Sequence, residues 1–264
     1  MTEEYQKLME VCISSALAAG DVLTSQYGDP TRNQIKESCR DVATNVDVDA
    51  EESAFMVIRK FDSQASILSE EHGFLGNEND REFWIVDALD GTVNYLQQIP
   101  LFCVSIASFV AGEVVAGCVY APMTEELYYG AKGLGAFKNK SKLSVQNTRS
   151  DSSLFAVAFS GKNFDPTRRV AEFEAFMRVN DSSRGCLRTG SAALNLAFLA
   201  ENRFNGCWGK ANKVWDVAAG LLLAEESGAI VQRMSSPDNP ELLSYIAAPE
   251  GNFEFLKNYT SNIF

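Results

Sequence analysis

Phe83-Trp84-Ile85-Val86-Asp87-Ala88-Leu89-Asp90-Gly91-Thr92 runs from an apolar, aromatic and β-branched stretch into two acids and a glycine. Side chains of that kind fit a pleated, buried surface, so Phe83 to Val86 read as a short strand that delivers Asp87 at its C-terminal end. The chain is then expected to turn, with Gly91 and Thr92 opening the next helix or turn and exposing their amides. Such a turn would set a backbone carbonyl, that of Leu89 for instance, between the carboxylates of Asp87 and Asp90. Taken alone, D-x-x-D-G-T is equally an ordinary Asp/Gly turn between a strand and a loop.

Upstream, Ser66 to Ser69 repeats the pattern as a short buried strand running into Glu70-Glu71. Earlier still, Tyr5, Leu8, Met9, Cys12, Ile13, Ala16, Ala19 and Leu23 recur at steps of three and four, which predicts an amphipathic helix ending before Tyr27-Gly28-Asp29-Pro30. A second helix is predicted to begin near Asp47 or Asp49 and to run through Phe61. Between the two helices, Lys36 to Asn45 is polar and reads as a loop or small hairpin able to close over a substrate.

Downstream, Leu101 to Phe109, Val114 to Tyr120 and Glu126 to Tyr129 are β-rich runs separated by Gly112 and Pro122, as in an antiparallel meander. The second half alternates instead. A strand at Leu154 to Phe159 precedes a helix from Thr167 to Arg178, and Thr189-Gly190-Ser191-Ala192 opens a helix through Glu201. Cys207-Trp208 reads as a strand, Asp216 to Ser227 as a helix closed by Gly228, and Ala229 to Gln232 as a strand. The expected class is mixed α/β. Residues 1–150 form an N-terminal α+β lobe with an antiparallel sheet and most candidate ligands; residues 151–264 form an α/β lobe carrying Asp216, the two packed as one unit.

A chain of 264 residues with 46% hydrophobic side chains can bury a full core. No stretch approaches the roughly 18 to 20 consecutive apolar residues that span a bilayer, and Met1 to Glu10 is too polar for a secretory leader, so a soluble cytoplasmic protein is expected. The six cysteines form no C-x-x-C pair and read as reduced core thiols. A formal charge of -12 opposes binding to nucleic acid or to an anionic membrane. The single histidine, His72, lies beside acids and a glycine and reads as an exposed loop residue, which leaves no Ser-His-Asp or Cys-His triad in view.

Glu70, Asp87, Asp90 and Asp216 stand out because each ends a strand or starts a helix inside an apolar frame. Like charges gathered in such frames need cations, and oxygen donors without histidine or cysteine select Mg²⁺ or Mn²⁺ over zinc. Phosphate chemistry is the common use of such sites. For Asp216, capping the helix Val217 to Ser227 is a sufficient local explanation and is compatible with metal binding. The D-x-D-x-T signature of haloacid dehalogenase phosphatases has a different spacing, and no P-loop G-K-[ST] occurs.

The blocks S-E-E-H-G at 69–73, W-I-V-D-A-L-D-G-T-V-N-Y at 84–95, T-G-S-A-A-L at 189–194 and V-W-D-V-A-A-G at 214–220 together resemble the inositol monophosphatase family. Their order and spacing match over nearly the whole chain, including the polar segment from Lys36 to Asp47 with Asp41 and Thr44. The resemblance implies a five-layered αβαβα sandwich of the type shared with fructose-1,6-bisphosphatase, usually a homodimer, and lithium-sensitive hydrolysis of a small sugar or polyol phosphate such as inositol 1-phosphate. It implies that Glu70, Asp87, the Leu89 carbonyl, Asp90 and Asp216 hold two or three Mg²⁺ ions, with Mn²⁺ as a substitute. Thr92 with Asp47, and Glu70, would act on the attacking water. Asp90, Gly91, Thr92, Gly190, Ser191, Ala192, Gly209 and Asp216 would face phosphate or substrate hydroxyls.

Two positions depart from the family pattern. Ala88 stands where proline is usual in the D-P-[IL]-D-G-T turn, at an expected cost of about 0.5 to 1 kcal/mol in preorganisation. Gly209 stands seven residues before Asp216, where inositol-cleaving members often carry a glutamate. Val93-Asn94-Tyr95 resembles the strings of inositol phosphatases rather than the K-E-F of bisphosphate nucleotidases. Fructose 1,6-bisphosphate, histidinol phosphate and bisphosphate nucleotides stay open as substrates, as does a regulatory or binding role on this fold with minor catalysis. Selectivity is expected in the loops that carry Lys162, Gly209 and Lys210.

Overall fold

A computed structural model describes residues 2–29, 45–77, 80–160 and 166–264. The polar segment with Asp41 and Thr44, and also Cys39 and Lys162, lie outside the described residues. Helices α1 (Thr2–Gln26) and α2 (Asn45–Phe61) precede strands β1 (Ser66–Ser69), β2 (Gly73–Leu75) and β3 (Glu82–Asp90). A short helix α3 (Thr92–Leu96) leads into β4 (Cys103–Val110), β5 (Glu113–Ala121), β6 (Glu126–Ala131), β7 (Gly135–Lys138) and β8 (Ser141–Lys142). Then come β9 (Leu154–Ala158), α4 (Pro166–Asp181), β10 (Gly185–Leu187), α5 (Ala192–Ala200), β11 (Cys207–Lys213), α6 (Val214–Glu226), β12 (Ile230–Ser235), β13 (Leu242–Ala248) and α7 (Glu250–Thr260).

The strands form two sheets. An eight-stranded sheet has the order β2-β1-β3-β4-β5-β6-β7-β8, a meander in which only β1 and β3 run parallel. A five-stranded sheet has the order β10-β9-β11-β13-β12, with β9 parallel to both its neighbours. Four apolar interfaces stack these elements. Cys12, Ala16 and Leu23 of α1 and Ala50, Phe55 and Ile58 of α2 pack on Val86, Ile106 and Cys118 of the first sheet. Its other face, through Ile85, Ala107 and Val119, meets Ala193 and Leu194 of α5 and Ala219 and Leu223 of α6. The far sides of those helices, Leu196, Val217 and Leu221, pack on Ala156, Cys207 and Tyr245 of the second sheet. Beyond it, Val179 of α4 and Leu256 of α7 cover Phe155, Trp208 and Ile246. The result is the expected αβαβα sandwich. Because α5 and α6 are buried on both sides, they are apolar nearly all round rather than striped.

By length and mean hydropathy, 1.3 over its most apolar 18 residues, α1 also passes for a bilayer-crossing helix, a property it shares with many core helices.

Two expectations from the sequence change at this level. The strand from Phe83 does not stop at Asp87; β3 continues to Asp90 with a bulge, since Asp87 pairs with Ser105 while Asp90 pairs with Cys103. Three steps on β3 against two on β4 leave one extra residue. Strict alternation would turn Asp87 and Asp90 to opposite faces, whereas the bulge sends both Ala88 and Leu89 into the α1–α2 core and keeps both acids facing α5 and α6. Asp216 is likewise not the cap of its helix. α6 begins at Val214 with Lys213 as N-cap, so Asp216 is the third helical residue and reaches back to the Lys213 N–H, as in one half of a capping box.

Candidate active site

Five chain segments converge where β1 and β3 end. Glu70 follows β1 directly, Asp87 and Asp90 end β3, Thr92 opens α3, and Asp47, Ser191 and Asp216 lie in or at the first turns of α2, α5 and α6. Helix N-termini present unpaired N–H groups and positive dipole ends, so the fold gathers acids where backbone donors are most plentiful.

Each acid is held differently. Asp87 is buried, and its Oδ1 accepts the Leu89 N–H at 2.9 Å, which fixes the carboxylate across the bulge. Asp90 Oδ2 accepts the Ser191 hydroxyl and the Ala193 N–H, each at 2.7 Å. Ser191 in turn caps α5 by accepting the Leu194 N–H at 3.1 Å. The Thr92 hydroxyl lies 3.2 Å from Asp47 Oδ1 and 3.2 Å from the Leu89 carbonyl oxygen, and its single proton serves one of them at a time. Gly91 adopts φ 102°, and a Cβ there would lie 2.9 Å from the Leu101 carbonyl oxygen, so β3 passes into α3 through a point only glycine tolerates.

The electrostatics are those of carboxylates short of countercharge. Burial raises the Asp87 pKa well above the carboxylate range, and repulsion from Glu70, Asp90 and Asp216 raises it further, against the Leu89 N–H. Asp216 is raised by burial and by Asp90, with the Lys213 N–H and charge opposing. Glu70 opens to solvent at the rim yet is hemmed in by protein; this crowding comes first, then Asp216, Asp47, Glu71 and Asp90, and together they push it well up. Asp90 is raised by burial to about 6 although Ser191, Ala193 and Ala192 donate to it. All the donors are oxygens, and their mutual repulsion is what a divalent cation relieves, so the set fits a hard ion by chemistry and charge. Among the described residues no three Asp, Glu, His or Cys side chains already close into an ion cage.

A cavity of about 150 Å³ adjoins Asp90 and Asp216 and is lined further by Ala158, Phe159, Arg188, Gly190, Ser191, Ala192, Asn195 and Asn212. A larger cleft of about 730 Å³, between the start of α1 and the β1–β3 edge, has none of the four acids in its wall.

The expected substrate-facing residues divide here. Gly190 and Ala192 border the cavity. The Ser191 hydroxyl does so only in part, because both its donor and its acceptor roles are taken by Asp90 and Leu194. Gly209 is buried in β11 and does not line the cavity; Asn212, three residues on, does. His72 is exposed in the turn after β1, as expected, and is also tied to its neighbours. Its Nδ1 lies 2.7 Å from Glu51 Oε2, and its ring meets Phe55 edge-on.

Several residues of the site gave no signal in the sequence reading. Buried Glu51 also accepts the Ser69 hydroxyl at 3.0 Å and the Glu71 N–H at 3.1 Å, so it clamps the loop on both sides of Glu70. Its place four residues after Asp47, on the same face of α2, was the available clue. Asn94 donates to the Leu101 and Thr189 carbonyls at 2.6 and 2.9 Å and ties α3 to the turn before α5. Five described cysteines are buried free thiols.

The profile of the inositol monophosphatase family matches residues 4–260. Inositol-1-monophosphatase from Mesorhizobium japonicum is 36% identical over 229 residues, covering 86% of this chain and 85% of that protein. Nus factor SuhB from Vibrio cholerae is 34% identical over 230 residues, covering 85% of this chain and 84% of its own length. Among solved structures, the extragenic suppressor protein suhB from Bartonella henselae superposes with a TM-score of 0.87 at 30% identity, over 98% of this chain and 100% of that one. Motifs, layered fold and sequence likeness agree, and the chain belongs to the inositol monophosphatase family.

Proposed function

We propose that this chain is a Mg²⁺-dependent phosphomonoesterase that hydrolyses a small sugar or polyol phosphate, of the inositol 1-phosphate kind, by direct attack of water. The observation that carries the reading is the β3 bulge, which turns Asp87 and Asp90 to one face, where Asp216 and Glu70 join them beside the Thr92–Asp47 pair. Glu70, Asp87, the Leu89 carbonyl, Asp90 and Asp216 would hold the metal, and Mg²⁺ there would supply positive charge to the phosphate oxygens and make a nearby water more acidic.

The side chains do the rest. The N–H groups where Gly91 and Thr92 open α3 receive phosphate oxygens. Thr92 orients the attacking water and accepts its proton as the Thr92 hydroxyl proton passes to Asp47; the new O–P bond forms, the ester P–O bond breaks, and the leaving oxygen takes a proton from solvent. Ser191 and Ala193 pin one oxygen of Asp90, so that its position does not depend on substrate. The cavity beside Gly190 and Ala192 receives the departing alcohol. Support for a phosphatase comes from the family and from the relative named inositol-1-monophosphatase.

A panel of phosphate monoesters assayed with and without Mg²⁺ tests this. Release confined to sugar and polyol phosphates is expected, and release from bisphosphate nucleotides alone overturns the substrate assignment. A second reading, a protein that works through a partner, is favoured by the name Nus factor given to the Vibrio relative. It gains if Asp90→Asn leaves the cellular phenotype of the gene intact while surface substitutions abolish it.

A further inference from the structure

Thr189 is gripped from two helices at once. Asn94, the third residue of α3, donates its carboxamide N–H to the Thr189 carbonyl oxygen at 2.9 Å. From the other side the Thr189 hydroxyl donates to Oδ1 of Asn195, one turn along α5 from the Ser191 cap, at 2.7 Å. The Ser191 N–H closes on the same hydroxyl oxygen at 3.3 Å.

The next residue, Gly190, borders the cavity that receives the alcohol. It adopts φ 94°, and a Cβ there would meet the Asn94 carboxamide nitrogen at 2.9 Å. A glycine has no side chain to anchor it and the widest choice of backbone conformations, so this turn cannot hold itself. Ser191, by contrast, is fixed independently, because it caps α5 and donates to Asp90. The peptide between Thr189 and Gly190 is therefore the movable piece of the cavity wall, and the two asparagines fasten it.

Asn195 is the one polar residue of α5, whose other members are alanine, leucine and phenylalanine, and it is 1% exposed. Burying a carboxamide costs free energy that hydrogen bonds must offset. Among the described residues its side-chain oxygen serves the Thr189 hydroxyl alone. The metal and phosphate ends have separate holds: Asp90 is bonded by Ser191 and Ala193, and the Thr92 hydroxyl pairs with Asp47.

We propose that Asn195 is a positioning residue for the substrate's alcohol portion. Through Thr189 it keeps the Gly190 backbone against the cavity, at the distance from the start of α3 that Asn94 sets. The inference rests on the phosphatase reading and assigns the alcohol wall a fastening of its own, distinct from that of the metal site. Asn195 also borders the cavity, and a direct contact with substrate is the alternative that the experiment separates.

The test measures three quantities in the wild type, Asn195→Leu, Thr189→Val, their double variant and Thr189→Ser. They are kcat and KM for myo-inositol 1-phosphate, the Ki of inorganic phosphate, and the Mg²⁺ concentration for half-maximal activity. Loss of one neutral hydrogen bond predicts that KM rises about three- to tenfold in Asn195→Leu and in Thr189→Val, with the phosphate Ki and the Mg²⁺ requirement unchanged. Both substitutions break the same bond, so the double variant is expected to match the worse single one. Thr189→Ser keeps the hydroxyl and is expected to restore the wild-type KM. Additive rises in the double variant overturn the route through Thr189 in favour of direct contact. A phosphate Ki or Mg²⁺ requirement that rises with KM overturns the confinement to the alcohol wall. An unchanged KM in both single variants overturns the assignment outright; should Asn195→Leu not fold, Thr189→Val against Thr189→Ser, at a half-buried position, decides it. Wild-type protein inactive on this ester removes the substrate reading itself, and the inference with it.

Discussion

The Thr92 hydroxyl is 3.2 Å from the Asp47 carboxylate, joining the start of α3 to the first turn of α2 across 45 residues of sequence. The contact is local to neither helix, and it places a proton acceptor directly behind a hydroxyl that faces the acids. If it orients the attacking water, Thr92→Val and Asp47→Asn each lower kcat by about 10²- to 10⁴-fold with little change in Tm, while Thr92→Ser keeps most of the activity. Steady-state kinetics with thermal unfolding of the same preparations checks this; equal losses in Thr92→Ser and Thr92→Val count against the proposed role.

Glu51 sits one turn after Asp47 and holds Ser69, Glu71 and His72 around Glu70. Glu51→Gln keeps the shape but weakens the clamp, and the Mg²⁺ concentration for half-maximal activity is expected to rise about tenfold. Glu51→Ala leaves buried donors unpaired and is expected to cost about 2 to 3 kcal/mol of stability, read from urea unfolding. An unchanged Mg²⁺ requirement in Glu51→Gln would separate the clamp from Glu70.

The acids also set a pH dependence. A carboxylate whose folded-state pKa is raised, as for Asp90 from 3.8 to about 6, binds more protons folded than unfolded between those values. Its contribution is therefore complete below about pH 4 and is lost as pH rises through about 6. With chelator present, the Tm is expected to fall between pH 5 and about 7.5, and Mg²⁺ is expected to abolish most of that fall because the cation stabilises the ionised forms. Asp90→Asn, neutral at every pH, is expected to raise the metal-free Tm at pH 7.5 by a few degrees. A metal-free Tm that climbs over this interval contradicts the burial assigned to the ionised acid.

Gly91 allows β3 to pass into α3, at φ 102° and against the Leu101 carbonyl. Gly91→Ala combines backbone strain with a clash and is expected to cost about 1 to 3 kcal/mol and to lower phosphate affinity. A variant with unaltered Tm and KM would mean that the turn relaxes freely.

How far the sequence can be read follows from what each feature depends on. The spacing of Tyr5 to Leu23 along α1 and the meander from Leu101 to Tyr129 are local patterns, and they recur as elements close to the predicted bounds. Leu242–Ala248 is an almost continuous apolar run whose periodicity does not separate strand from buried helix; its pairing with β11 and β12 is what settles it as β13. The acids were visible as a set because Glu70, Asp87, Asp90 and Asp216 each interrupt an apolar frame. What made Asp87 and Asp90 share a face was not visible, since a bulge is defined by the partner strand's register, here Ser105 and Cys103. Ala88 makes the same point: it is 2% exposed in the α1–α2 core, and this packing, which the hexapeptide alone does not show, is what holds the turn where a proline would otherwise stiffen it.

The central claim is that these acids work through a divalent cation on a phosphate ester. The direct measurement is phosphate release from myo-inositol 1-phosphate by wild-type protein and by Asp90→Asn across a Mg²⁺ titration, with circular dichroism on both. The account predicts release that requires Mg²⁺ in the wild type and is abolished in a folded Asp90→Asn. Release that persists in chelator, or that survives in Asp90→Asn, would contradict it.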